Sequence, residues 1–184
     1  YEIPQAGRTA RGRPLVNLLP LNEEERRTIV LPVKEFDPDL YVVMATTKGI
    51  IKKTSLANFS RPRPSGIIAV KLTEGDHLIG SILTNGSSDL MLVSSGGKAI
   101  RFSEEKVRAM GRTARGVRGI ALEKNAEVIA LISLLGHETI LTVTQNGYGK
   151  RTRYEEFPVR GRGGKGVITI QTNKRNGKVV GDKK

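Results

Sequence analysis

Apolar residues in this 184-residue chain fall in short blocks that run into glycine turns, not in stripes of helical period. Three blocks share one layout: YVVMATTKG at 41–49, LMLVSSGG at 90–97 and TILTVTQNG at 139–147. Aliphatic and β-branched residues running into a glycine turn predict a β-hairpin each time, and Asn146-Gly147 is the strongest turn signal of the three. A further apolar run follows two of the hairpins, at Leu78–Thr84 and Val128–Leu135, and Ile29–Val33 matches them upstream. SEEKVRAM at 103–110 allows one or two helical turns, and no long amphipathic helix is predicted.

The blocks are periodic. Gly12, Gly66, Gly116 and Gly166 each close a basic segment and open an apolar one, at spacings of 54, 50 and 50 residues. Ile67–Val70, Val117–Ile120 and Val167–Ile170 follow the last three, and Leu15–Leu19 follows the first with a slight displacement. Ahead of each closing glycine from Gly66 on lies one bulky apolar residue: Phe59, Met110 or Phe157. The hexapeptide GRTARG occurs twice, at 7–12 and 111–116, with looser versions RPRPSG and GRGGKG in the other two segments. Glycine and basic composition alone does not order landmarks in this way. Each unit of ~50 residues reads as four short strands, the signature of propeller-like blades that complete one another's cores. The expectation is an all-β array of about four repeats over 1–184 as one domain, the first and last incomplete.

Charge sharpens this picture. With 31 Lys+Arg against 18 Asp+Glu, the net charge is +13, which points to a polyanionic partner, duplex nucleic acid first. No basic amphipathic helix or long apolar run suggests a membrane, and no cysteine is present to form disulfides, thiolate metal sites or thiol nucleophiles. The basic residues gather before the closing glycines, and the hairpin cations join them. Acidic residues (Glu23–Glu25, Glu74, Asp76, Glu123 and Glu127) gather at the turn beyond the next strand, roughly 20 Å away. In the fourth unit that turn is instead basic, Asn173–Gly177. Arginine forks phosphate oxygens, and glycine lets backbone N–H groups approach them, so repeated Gly/Arg loops suit a phosphate backbone without reading bases. Few aromatics are available to stack single-stranded bases, and Tyr148 is the one placed to be exposed.

Catalytic chemistry finds little support. His77 and His137 lie in turns without partners at metal-ligand spacing, Asp37-Pro-Asp39 reads as a turn, and GRGGKG lacks the Lys-Ser/Thr ending of a nucleotide-binding phosphate loop. On these grounds the chain is not expected to be an enzyme by itself, nor to hold a cofactor.

YEIPQAGRTARGRPLVNLLPL, VVMATTKGIIKKTSL, VRAMGRTARGVRGI and TQNGYGKRTRYEEFPVRGRGGKGVI closely resemble the C-terminal domains of bacterial DNA gyrase A, over nearly the whole chain. The resemblance implies a β-pinwheel whose blades exchange strands and whose basic perimeter wraps duplex DNA, so that the parent type II topoisomerase introduces negative supercoils. It implies DNA contacts at Arg8, Arg11, Arg13, Arg61, Arg63, Arg112, Arg115, Arg118, Arg160, Arg162 and Lys165, flanked by Lys52, Lys53, Arg101, Lys150 and Arg151. It also implies that ATP and Mg2+ serve other domains, and that the partners are the N-terminal domain of gyrase A and gyrase B in a heterotetramer. A cytoplasmic, nucleoid-associated setting and a monomeric isolated chain follow from the same resemblance. The family's Gln-Arg-Arg-Gly-Gly-Lys/Arg-Gly box is not intact here; GRGGKG at 161–166 shares its core. With about six blades in the family, the chain is expected to begin inside the first blade and stop before the last. Tyr1, Tyr41, Tyr148 and Tyr154 do not inherit the active-site role, which belongs to another domain. Topoisomerase IV, with a related C-terminal domain that wraps DNA less, and a propeller-like protein-interaction module are the alternative readings.

Overall fold

The computed structural model describes residues 4–12, 14, 17, 19 and 29–183. Among these residues the regular elements are eleven β-strands and three short 3-10 turns. Three hairpins form its backbone: β1 (Tyr41–Thr46) with β2 (Ile50–Ser55), β4 (Asp89–Ser94) with β5 (Lys98–Ser103), and β8 (Thr139–Thr144) with β9 (Gly149–Arg153). The apolar runs after the hairpins form β3 (Leu78–Thr84), β7 (Val128–Leu134) and β11 (Val179–Lys183), and each pairs antiparallel with the first strand of the hairpin before it.

The closing-glycine strands behave differently. β6 (Val117–Arg118) pairs with β2, and β10 (Val167–Ile168) with β5. Each therefore completes the sheet of the preceding unit, giving the orders β3-β1-β2-β6 and β10-β5-β4-β7, with β11-β8-β9 as the third sheet. This is the strand exchange that the family resemblance implies, in place of the four strands from one unit that the period alone suggests: periodicity marks where a strand lies, not which neighbour takes it. Ile67–Val70 and Ile29–Val33, both expected as strands, are not strands in the structure. Leu15–Leu19 and Glu23–Glu25 fall largely or wholly outside the described residues.

Both faces of β4 are apolar because the second blade lies between the first and the third. On β4, Leu90 and Leu92 join Val43, Ile51, Phe102 and Ile120 in the core between the first two blades. Met91 and Val93 point the other way and join Ile132, Ile140 and Phe157 between the second and third. β3 packs on β7 and β7 on β11, so the blades meet along those edges, with β6 and β10 on the opposite ones.

Each hairpin leads into a 3-10 turn, at Leu56–Phe59, Glu104–Lys106 and Tyr154–Glu156. At the position of Phe157 in the second unit the buried residue is Val107, not the expected Met110, which is only half-buried.

Candidate nucleic-acid interface

The basic loops run along the edges that carry β6 and β10, tied to the second hairpin strand. Met110 N donates to Lys53 O and Arg160 N to Arg101 O, both at 2.9 Å, so loops 108–116 and 158–166 take equivalent places beside β2 and β5. The closing glycines bring the chain onto the strand. Gly116 has φ +101, and a Cβ there would lie 2.6 Å from Ile51 O; Gly166 has φ +72, and a Cβ would run into Ala99 O. Only glycine fits both the left-handed backbone and the close approach.

Consecutive loops are then clasped to each other by one arginine, four residues before the glycine. Arg112 Nη1 donates to Ile68 O at 3.3 Å. Fifty residues on, Arg162 Nη1 donates to Arg118 O at 3.1 Å, and its Nε donates to Lys106 O at 2.8 Å. The backbone repeats the junction, with Lys71 N on Ala114 O and Ala121 N on Gly164 O. The RPRPSG loop carries Pro62 at the corresponding position, which has no side-chain donor for this contact. Its turn closes elsewhere, with Gly66 N on Arg63 O.

The basic residues expected to meet a polyanion thus fall into groups. Arg8, Arg11, Arg61, Arg63, Arg115, Arg118, Lys150, Arg151, Arg160, Arg162 and Lys165 are exposed, and Arg13 lies outside the described residues. Arg112 is half-buried in its clasp. Arg115 and Lys165, one residue before their glycines, have no side-chain hydrogen bond or ion pair among the described residues, which leaves their charges to solvent.

Lys52, Lys53 and Arg101 belong to the interior, which corrects their expected place flanking the loops. Lys52 is 1% exposed and its Nζ donates to Ala69 O and Arg112 O, joining two loops from beneath. Lys53 Nζ lies 5.0 Å from the Tyr41 ring centre and 3.8 Å from Oε1 of Glu104, a fully buried carboxylate that also accepts from Thr84 Oγ1 and Ser88 N. Arg101 repeats the arrangement with its partners exchanged. Its acid, Asp89 at 2.6 Å, comes from its own hairpin, and its aromatic, Tyr154 at 4.5 Å, comes from the next unit. At the junction of the first two blades the hairpin supplies the tyrosine and the next unit the acid. The following junction reverses this. Lys150 and Arg151 hold the matching places on β9 yet are exposed, because no later loop covers them among the described residues.

Burial pushes the Lys52 ammonium down to about 8, and the Arg112 guanidinium adds to the effect. Between about 8 and the ordinary 10.5 the unfolded chain holds a proton here that the folded chain has lost, so stability should rise with pH across that window. Ile100 occupies the matching place on β5. Urea midpoints below and above pH 8 should therefore show this rise in the parent chain and not in Lys52→Ile. An equal rise in both would refute the assignment.

The acidic turns serve partly as staples. Asp76 is buried, which by itself raises its pKa, but hydrogen bonds from Lys48 N, Thr46, Thr47 and His77 N overcome this and hold it low. Lys98 pairs with Glu123 at the equivalent turn. His77 and His137 join no group of three or more potential metal ligands among the described residues. Among those residues, too, no helix is long and apolar enough to cross a membrane.

The family model described as "DNA gyrase C-terminal domain, beta-propeller" matches residues 1–34, 40–85, 88–134 and 138–181, one segment per repeat. The chain belongs to this family. It is 57% identical over 181 residues to the DNA gyrase A protein of Salmonella typhimurium and 53% identical to that of Escherichia coli strain K12. In each case 98% of the chain is covered and 21% of the relative, so the chain spans about a fifth of these proteins. Among solved structures, the C-terminal domain of DNA topoisomerase IV superposes with a TM-score of 0.87 at 28% identity, covering 93% of this chain and 54% of that one. A DNA gyrase A C-terminal domain superposes with a TM-score of 0.82 at 24% identity, covering 92% of this chain and 57% of that one, which shows the shared fold. As a member of the gyrase C-terminal domain family, the chain is an all-β pinwheel array of propeller-like repeats, in keeping with the sequence pattern.

Proposed function

We propose that this gyrase-family chain binds duplex DNA through its repeated Gly/Arg loops and wraps it, as the accessory domain that lets a type II topoisomerase introduce negative supercoils. The observation that carries the reading is the pair of clasped loops, 50 residues apart, that leave Arg115 and Lys165 in the same place on successive blades. Arg160, Arg118, Arg61, Arg63, Arg8 and Arg11 add phosphate contacts along the same series of loops. Bending 20–30 base pairs by 40–90° costs on the order of 1–6 kcal/mol, so several blades must act together. The 184 residues act as one DNA-binding domain without a cofactor. In the parent enzyme the chain works beside the rest of gyrase A and beside gyrase B, with ATP consumed elsewhere, in the bacterial cytoplasm at the nucleoid.

A topological assay tests this. Relaxed circular DNA is incubated with stoichiometric chain, relaxed by a type I topoisomerase, deproteinised and resolved on a gel. The expected result is a linking-number shift that grows with protein. DNA binding without a shift would overturn wrapping by this chain and favour the second reading, a topoisomerase IV type of C-terminal domain, which the TM-score of 0.87 keeps in view. No binding to duplex at low salt would leave the protein-interaction module.

A further inference from the structure

At the hairpin-turn end of each blade, the turn before the next strand folds back over the hairpin turn. Thr47 N donates to His77 O, Ser95 N to Glu127 O and Gln145 N to Lys178 O. In the first two blades these turns carry acidic residues and occupy their neighbouring cations, Lys48 Nζ through the backbone carbonyl of Glu74 and Lys98 through the carboxylate of Glu123. In the third blade the turn is Asn173-Lys-Arg-Asn-Gly177, with no carboxylate.

That turn is rigidly built. Asn173 Oδ1 accepts from Arg175 N and Asn176 N, and Asn146 Nδ2 donates to Arg175 O at 2.8 Å. Asn146 N donates to Asn176 O, and Asn176 Nδ2 to Gln171 O. On this frame the Arg175 guanidinium lies 5.3 Å from the Tyr148 ring centre and its Nε donates to Tyr148 Oη at 2.8 Å. The Nη groups of Arg175 and the Nζ of Lys174 have no partner among the described residues, and both side chains are exposed. Tyr148 is therefore a support for a cation and not an open platform for bases.

We propose that Lys174 and Arg175, the latter held on Tyr148, form a second phosphate contact for duplex DNA, away from the Gly/Arg loops. This rests on the reading that those loops bind DNA. A duplex carries a charge about every 1.7 Å. Once gripped at the loops it meets a second cation pair on the same body at high effective concentration. A guanidinium held through its Nε, with both Nη groups left without a partner among the described residues, keeps the forked pair of donors that phosphate oxygens accept.

Binding to a duplex of about 100 base pairs would be followed across a salt series, at about −0.9 in slope for each phosphate neutralised. Lys174→Ala/Arg175→Ala should weaken binding and flatten the slope by about 2, in addition to the effect of Arg115→Ala/Lys165→Ala. The charge-keeping pair Lys174→Arg/Arg175→Lys should keep the parent slope. An unchanged slope in the alanine pair, with the loop variant still impaired, overturns this site and leaves the loop reading standing. A loss shared equally by the charge-keeping pair overturns it too, by showing a purely structural turn. If the parent chain fails to bind duplex at all, the loop reading falls and this one with it.

Discussion

Arg115→Ala/Lys165→Ala is expected to weaken duplex binding roughly 10- to 60-fold at 0.1 M salt and to flatten the salt dependence by about 2 in slope, with the fold unchanged. Both residues sit one position before a closing glycine, are exposed, and have no competing partner among the described residues. Arg112→Ala/Arg162→Ala should behave differently although it removes the same charge. Those two arginines clasp Ile68 O and Arg118 O, so their loss should loosen the loops and lower the unfolding midpoint as well as affinity. Affinity measured by anisotropy, set beside urea unfolding of the same samples, separates the pairs. Equal effects on stability from both would sink the division between gripping and clasping arginines, and an unchanged salt slope for Arg115→Ala/Lys165→Ala would remove them as phosphate contacts.

Gly166→Ala should cost more stability than alanine at the other closing glycine, Gly116, roughly 2–5 kcal/mol from left-handed strain and overpacking combined. The added carbon meets Ala99 O, where β10 completes the sheet of the second blade. Gly116→Ala meets Ile51 O in the same way, at β6. By contrast, a Cβ at Gly111 or Gly161 finds open space, and alanine there should be close to neutral. Chemical denaturation of the four variants checks this. Similar midpoints for Gly166→Ala and Gly161→Ala would contradict the role assigned to the closing glycine.

Much of the architecture was legible because each signal was local. The hairpins follow from blocks such as YVVMATTKG, and the repeat follows from glycines that must take positive φ at fixed intervals. The exchange of β6 and β10 was legible only through the family resemblance, since an unchanged period fits either neighbour. Nor could local sequence separate Lys52 from Lys150. Both stand three residues past a turn glycine, yet Ala69 and Arg112 cover the first and none of the described residues covers the second. Val107 was missed for Met110 because the longer side chain is the stronger apolar signal. The basic turn at Asn173–Gly177 was visible as a departure, but its meaning needed Tyr148, which is distant in sequence and adjacent in space.

The exchanged order of aromatic and acid around Lys53 and Arg101 gives each blade junction an address. If the first hairpin packed directly on the third unit, Lys53 would lie between Tyr41 and Tyr154 with no counter-ion. If the second hairpin packed on another copy of its own unit's turn, Asp89 and Glu104 would crowd one arginine. Either arrangement leaves a buried charge unbalanced, a penalty that falls only on the wrong partner. Units alike enough to share a hexapeptide are thereby favoured to pack in one order along the chain.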